Sequence, residues 1–207
     1  MKLLHSLAKQ FSQPKGFVGR LVGILMNRVN QAGIDWTIEL LEIGSREQVL
    51  EIGYGPGIGI QKVARIVTEG KVVGLELSET MKEQAQKLNA QSIKQGRVEL
   101  LAGSAIAMPF DNHRFHKVFA VNVIYFWEDP VSTLKEIRRC MHPGGRIAIY
   151  QIAQDDLANM KFTQTGVYRT YSDDAAVDLF VRAGFVNVRS VKRIEAGRTG
   201  VCIVGEK

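Results

Sequence analysis

Two carboxylates and a ladder of glycines carry the clearest chemical signal in this chain. Glu51 lies in Val49-Leu-Glu-Ile52, four residues of buried-strand type, and Gly53, Gly55, Gly57 and Gly59 follow at alternate positions. Glycine tolerates positive φ and has no Cβ, so such a stretch can turn sharply and lie against a ligand. Glu76 closes a second apolar run, Lys71 to Ser78. A carboxylate at such a strand end can accept from two adjacent ribose hydroxyls at once. The chemistry implied is binding of a ribose-bearing ligand. The dinucleotide spacing G-x-G-x-x-G/A is not met, because the third small residue would be Ile58 or Ile60, too bulky for close helix–strand packing.

The elements that must position these groups follow from periodicity. Ile60, Val63, Ala64 and Val67 share one helix face behind the glycines. Strand, glycine turn and helix form the nucleotide-binding opening of an open α/β sheet, with ligand at the strand's carboxyl end. Ser78 should cap a helix from Glu79 to about Gln95, and Val98–Ala102 and Phe115–Asn122 read as the third and fourth strands. Pro130 opens a helix that His142-Pro-Gly-Gly-Arg146 ends, turning into a fifth strand, Ile147–Ile152. Residues 153–171, with Met160, Phe162, Tyr168 and Arg169, form the one sizeable connection and the expected substrate lid. Ser172 should cap a helix through Arg182, and a hairpin through Gly197–Gly200 leads to a last strand, Val201–Val204.

A chain of 207 residues with 45% hydrophobic content suits one domain, residues 1–207, burying roughly 70% of its unfolded surface. Residues 1–44 should be cap helices and 45–207 the core. The apolar run Leu21–Met26 is far too short to span a bilayer. Cys140 and Cys202 make neither a disulfide framework nor metal spacing, which fits reduced thiols in the cytoplasm. His113 and His116 stand three apart with no clear third ligand, so no metal is expected. No G-x-S-x-G elbow supports hydrolase chemistry.

The net charge of +6 is unevenly placed: residues 1–30 hold five of the 27 cations (Lys2, Lys9, Lys15, Arg20, Arg28) and none of the 21 acids. Phe17, Val18, Leu21, Val22, Leu25, Met26 and Val29 make one broad apolar helix face, and Leu4, Leu7, Ala8 and Phe11 a shorter one, separated by Pro14-Lys15-Gly16. This segment either packs on the domain and covers the ligand cleft or anchors to anionic membrane, each cation there worth up to about 1 kcal/mol. Asp35 should cap a third helix, Trp36–Ile43, ending at Gly44.

The order E-x-G-x-G-x-G at 51–57 resembles motif I of the class I S-adenosylmethionine-dependent methyltransferases. Gly103-Ser-Ala-Ile-Ala-Met-Pro-Phe110 resembles their G-D-A-x-x-L-P-F, with Ser104 in place of the acid. Leu134 to Ile147 resembles L-x-E-x-x-R-V-L-x-P-G-G-x-L, and Ala183-Gly-Phe185 their A-G-F before the sixth strand. His116 stands where the family often has Asp. The resemblance covers about Gln48 to Val204 and is closest to the small-molecule group that includes ubiquinone- and menaquinone-pathway enzymes.

That resemblance implies a three-layer Rossmann-like α/β fold, a mostly parallel seven-stranded sheet whose last strand is antiparallel. It implies S-adenosylmethionine as cofactor and a small-molecule methyl acceptor. Glu51, Gly53, Gly55 and Gly57 would shape the methionine end, Glu76 would hold the ribose, and Ser104, Ala105 and Ile106 would border adenine. Tyr54, Gly59, Leu77 and Val123 complete the expected cofactor contacts. Asn122 and Tyr125 would face the methyl group, in the aromatic cluster Val123–Trp127, where ring faces attract a sulfonium cation. Tyr125 is the catalytic candidate.

Two other readings stay open. A nucleic-acid or protein methyltransferase would suit the basic N-terminus, and Asn122-Val-Ile-Tyr125 resembles an N-P-P-Y box without its prolines; nucleic acid is not expected as a partner, since no recognition domain fits the length. The other is a fold retained for binding without catalysis. A monomer and a homodimer are both compatible with the sequence.

Overall fold

The computed structural model describes residues 2–195 and 197–207, with the side chains of Lys2 and Glu195 left aside. Three helices come first: α1 (Lys2–Ser12), α2 (Gly16–Val29) and α3 (Gln31–Leu41). Strands and helices then alternate as β1 (Gln48–Ile52), α4 (Ile58–Ile66), β2 (Lys71–Glu76), α5 (Glu79–Leu88), α6 (Ala90–Lys94), β3 (Val98–Ala102) and β4 (Phe115–Val121). The remainder is α7 (Pro130–Cys140), β5 (Met141–Ile152), α8 (Gln154–Ala158), α9 (Asp173–Arg182), β6 (Val186–Glu195) and β7 (Arg198–Glu206).

The seven strands form one sheet in the order β3-β2-β1-β4-β5-β7-β6. Strands β1 to β5 are parallel, and β7 runs antiparallel between β5 and β6. Both faces of the sheet are covered, so the central strands bury apolar residues on both sides. Leu50 and Ile52 pack with Leu134 and Ile137 of α7 and Phe180 of α9. Val49, one residue out of phase, packs on the other side with Trp36 of α3 and Ile60 and Val63 of α4. The alternation of β1 makes the three layers, and it also turns Glu51 toward α4. Strand order reverses between β1 and β4, which opens a crevice at their carboxyl ends.

Several boundaries differ from the sequence reading. Asp35 does not cap α3; it lies inside the helix and pairs with Lys62. Asn30 is the N-cap, with near-helical backbone, so a single residue separates α2 from α3. That helix stops at Leu41, where Glu42 turns left-handed at φ 51°, not at Gly44. The helix expected to run to Gln95 breaks at Asn89, whose amide donates to Gly57 O and Ala85 O at 3.0 Å each. Asn122 is not strand but a left-handed turn residue at φ 56°. Strand β5 begins at Met141, and His142–Gly145 is a bulge that moves its register on β4 from Phe115↔Met141 to Lys117↔Arg146. The last strand spans Arg198–Glu206 rather than four residues, and Glu195 pairs with Arg198, so Arg198–Gly200 are strand and not the expected hairpin loop.

The N-terminal helices do cover the cleft, but α2 docks by an unexpected face. Gly19, Val22 and Gly23 are its buried residues. A Cβ on Gly23 would lie 2.3 Å from Gln84 Oε1 and 2.9 Å from Met81 Cε. The missing side chain of Gly23 lets α2 settle closely on α5, and the bulky face of Phe17, Val18, Leu21, Leu25 and Val29 is left exposed.

Candidate active site

The site grows from the carboxyl end of β1. Gly53 follows at φ +69° and donates to Leu75 O at 2.8 Å. A Cβ there would lie 2.3 Å from Val123 Cγ1. Gly55, at φ +51°, donates its N–H to Glu76 Oε2 at 3.0 Å, and Ser78 N–H donates to Glu76 Oε1 at 2.9 Å. One carboxylate therefore ties the loop after β1 to the loop after β2. Each of its oxygens keeps a lone pair for a ligand hydroxyl. Burial raises the Glu76 carboxyl above its ordinary range, and the backbone donors at Ser78, Gly55 and Leu77 oppose that.

Glu51 is more deeply set. It is buried beside Gly59, whose absent Cβ would otherwise meet Glu51 Oε1 at 2.3 Å. Burial pushes its carboxyl well above the usual range, repulsion from Glu76 adds to this, and a backbone bond from Ile60 works against it. Its Oε2 has no hydrogen-bond partner among the described residues. A buried acceptor without a donor costs free energy unless something supplies one, so a cationic donor would fit here.

These groups line a cavity of about 340 Å³. Of the sequence-predicted residues, it brings together Glu51, Gly53, Tyr54, Gly55, Glu76, Leu77, Ser104, Ala105, Ile106, Asn122 and Val123. Leu77 and Ile106 are about half exposed here, apolar surfaces on the cavity wall. Ser104 Oγ makes only a 3.5 Å contact with Ile106 N–H, so its hydroxyl stays free for a ligand. Gly57 and Gly59 are not in the wall. Gly57 caps α4 at φ +89° and backs onto Ala85 and Asn89, and Gly59 makes room for Glu51.

A second cavity of about 410 Å³ adjoins the first and shares Phe11, Met26, Asn30, Asn122 and Phe126 with it. Tyr125 lines this second chamber. Its ring centroid lies 5.5 Å from that of Tyr168, and Phe126 and Phe162 flank Tyr168 at 4.8 and 5.7 Å. Phe11 of α1 stacks on Phe162 at 5.3 Å. The connection 153–171 thus contributes Met160, Phe162 and Tyr168 to the wall, with Arg169 N–H pinned to Tyr125 O at 3.0 Å. Lys161 and Arg198 also line the chamber, and its lining includes no Asp, Glu or His among the described residues.

The Tyr125 hydroxyl both donates and accepts. It accepts from Ile152 N–H at 2.6 Å and donates to Asn122 Oδ1 at 3.0 Å. Asn122 Nδ2 in turn donates to Asn30 Oδ1 at 3.1 Å. This relay joins β5, the turn after β4 and the start of α3 where the two chambers meet. Burial holds the phenol well above its ordinary range. Tyr125 is therefore held protonated, with its proton committed to Asn122 Oδ1.

Residues 50–149 match the family described as "Methyltransferase domain". Along 187 residues the chain is 28% identical to YdaC, an uncharacterized methyltransferase of Bacillus subtilis, covering 90% of this chain and 98% of that one. Residues 50–149 form a methyltransferase domain. A demethylmenaquinone methyltransferase of Bacillus cereus is 32% identical over 127 residues, which are 60% of this chain and 53% of the relative. The structure of a SAM dependent methyltransferase from Aquifex aeolicus overlays with a TM-score of 0.72 at 17% identity, covering 97% of each chain, a likeness of fold.

This methyltransferase departs from its family's pattern at His116, and the structure gives that residue a local task. His116 Nδ1 accepts from Gln48 N–H at 3.0 Å, and the ring stacks on His142 at 5.2 Å. Sequence reasoning missed Phe11, Met26 and Asn30 as site residues. Their helices were legible, but the contact they make lies across the cleft and leaves no local signal.

Proposed function

We propose that this methyltransferase transfers the methyl group of S-adenosylmethionine to a small, largely apolar acceptor held in the aromatic chamber. The observation that carries the reading is the shared wall: a cavity ended by two buried carboxylates meets an aromatic chamber at Asn122 and Phe126. The residues present fit the cofactor. Glu51, with its unpartnered oxygen, would take the methionine ammonium, and Glu76 the ribose hydroxyls. Leu77 and Ile106 would hold the adenine, with Ser104 offering a neutral hydroxyl where the family has an acid. Bound there, S-adenosylmethionine supplies a methyl carbon made electrophilic by its sulfonium.

The protein's own part is alignment and exclusion of water. Positioning of two reactants can supply roughly 7–11 kcal/mol of the barrier. Tyr125 and Asn122 fix the junction, and the rings of Phe126, Phe162 and Tyr168 keep the acceptor dry and offer faces that favour a cation. With no carboxylate or imidazole in the chamber wall among the described residues, the acceptor would bring its own lone pair, as an amine or an already ionised oxygen or sulfur does. The same proposal takes residues 1–207 as one domain resident in the cytoplasm. No helix among the described residues is long and apolar enough to cross a membrane.

Calorimetric titration with S-adenosylmethionine, S-adenosylhomocysteine and NAD tests the cofactor. The expected result is micromolar binding of the first two and none of NAD. Glu76→Ala should weaken that binding by about 1.5–3 kcal/mol, the usual worth of hydrogen bonds to a charged group. Binding of NAD alone would overturn the reading in favour of an oxidoreductase, and unchanged affinity in the variant would remove Glu76 from the site.

A further inference from the structure

The outward face of α2 carries a row of apolar side chains, with Arg28 among them in the last turn. Phe17, Val18, Leu21, Ile24, Leu25 and Val29 are each half or more exposed, and Phe17 reaches 75%. Leu3 and Leu7 of α1 are exposed as well. Scattered exposed leucines are ordinary, whereas a continuous stripe marks an interaction surface. The helix is not misplaced core, because its opposite face is locked in place, Gly23 against Gln84 and Met81 of α5 and Gly19 against Pro14. Something else is meant to meet this stripe.

Charge identifies the occupant. Residues 1–30 contain five cations and no acid. Lys9, Lys15, Arg20 and Arg28 are exposed, and among the described residues only Arg20 of these four forms an ion pair, with Glu83 at 3.1 Å. A second copy of the chain is disfavoured, since a two-fold contact would press this cationic surface against itself. An apolar stripe with cations and no acid is complementary to an anionic lipid surface.

We propose that α1 and α2 lay this face on an anionic bilayer. At 14 residues α2 is about 21 Å long, suited to lying in the interface plane rather than crossing it. Leu25 and Val29 belong both to the stripe and to the wall of the aromatic chamber. Docking therefore sets that chamber beside the lipid, where apolar acceptors concentrate.

The test is co-sedimentation of the full chain with vesicles of phosphatidylglycerol and phosphatidylcholine, against phosphatidylcholine alone. Binding is expected only to the anionic vesicles and should fall as salt is raised. Phe17→Glu with Leu21→Glu, residues that line neither chamber, should lower partitioning by about 10-fold or more. Lys9→Gln with Lys15→Gln should lower it by roughly 10-fold as well. Melting temperature and S-adenosylmethionine affinity should be unchanged in both variants, which separates loss of docking from loss of fold or of the cofactor site. Failure of the wild-type chain to bind anionic vesicles, equal binding to neutral ones, or full binding by the Phe17/Leu21 variant would overturn the proposal. So would a concentration-dependent dimer that these substitutions dissolve while vesicles are ignored.

Discussion

Burial drives the Glu51 carboxyl well above its ordinary range, with repulsion from Glu76 adding to the shift. A carboxyl whose pKa is raised in the folded state binds its proton more tightly there than in the unfolded chain. Its contribution to stability is complete below the unfolded carboxylate range and is lost as pH rises through the folded value. Glu51→Gln cannot ionise, so its melting temperature relative to wild type should climb as pH is raised from the acid side toward neutrality, measured without cofactor. A constant difference between the two proteins across that series would mean that Glu51 titrates normally. Gly59 belongs to the same argument, because only a residue without Cβ leaves room for the carboxylate.

At the scale of elements, Ser78 holds two parts of the molecule together. Its hydroxyl accepts from Met81 N–H at the start of α5 and donates to Pro14 O in the turn between α1 and α2. Ser78→Ala should cost about 1 kcal/mol for the lost cap alone. Loss of the Pro14 tie should show as faster hydrogen exchange through residues 2–29 in excess of any change in α5. Faster exchange confined to α5 would reduce Ser78 to a cap. The α2 docking face carries a related lesson. Hydrophobic periodicity selects the stripe with the largest side chains as the buried one, yet close approach of two helices favours the side with the smallest. Gly23 outranks Phe17 and Leu21 because proximity to α5, not bulk, decided the contact.

At the scale of the whole molecule, the crevice lies where the strand order reverses, and its walls come from distant stretches of chain. Asn30, Glu51, Glu76, Ser104 and Asn122 line one cavity. A ligand that bridges them binds the folded state and not the unfolded one, so it must stabilise the whole. S-adenosylmethionine at ~100 times its dissociation constant should add about 2.7 kcal/mol. At about 2–4 °C per kcal/mol for a chain of this size, the melting temperature should rise by roughly 5–10 °C in a thermal scan. No shift at saturation would set the measured affinity apart from the folded cleft.

The sequence by itself determined the strand–glycine–helix opening and the caps at Ser78 and Ser172, because each rests on local rules of backbone and periodicity. It also carried the antiparallel ending, through the pattern it shares with its family. Element ends were less legible. Asp35 has the composition of a cap, but the one-residue link at Asn30 had already started the helix. Asn122 follows an apolar run and reads as strand, yet it turns left-handed and aims its side chain at Asn30 and Tyr125. Tyr125 looked reactive by type, and its engagement by Ile152 and Asn122 became visible only once β5 lay beside the turn after β4. The tertiary structure alone decided the aromatic chamber, because Phe11, Phe126, Phe162 and Tyr168 meet across three separate segments. Contacts of that kind depend on how layers stack, and no spacing within a single stretch encodes them.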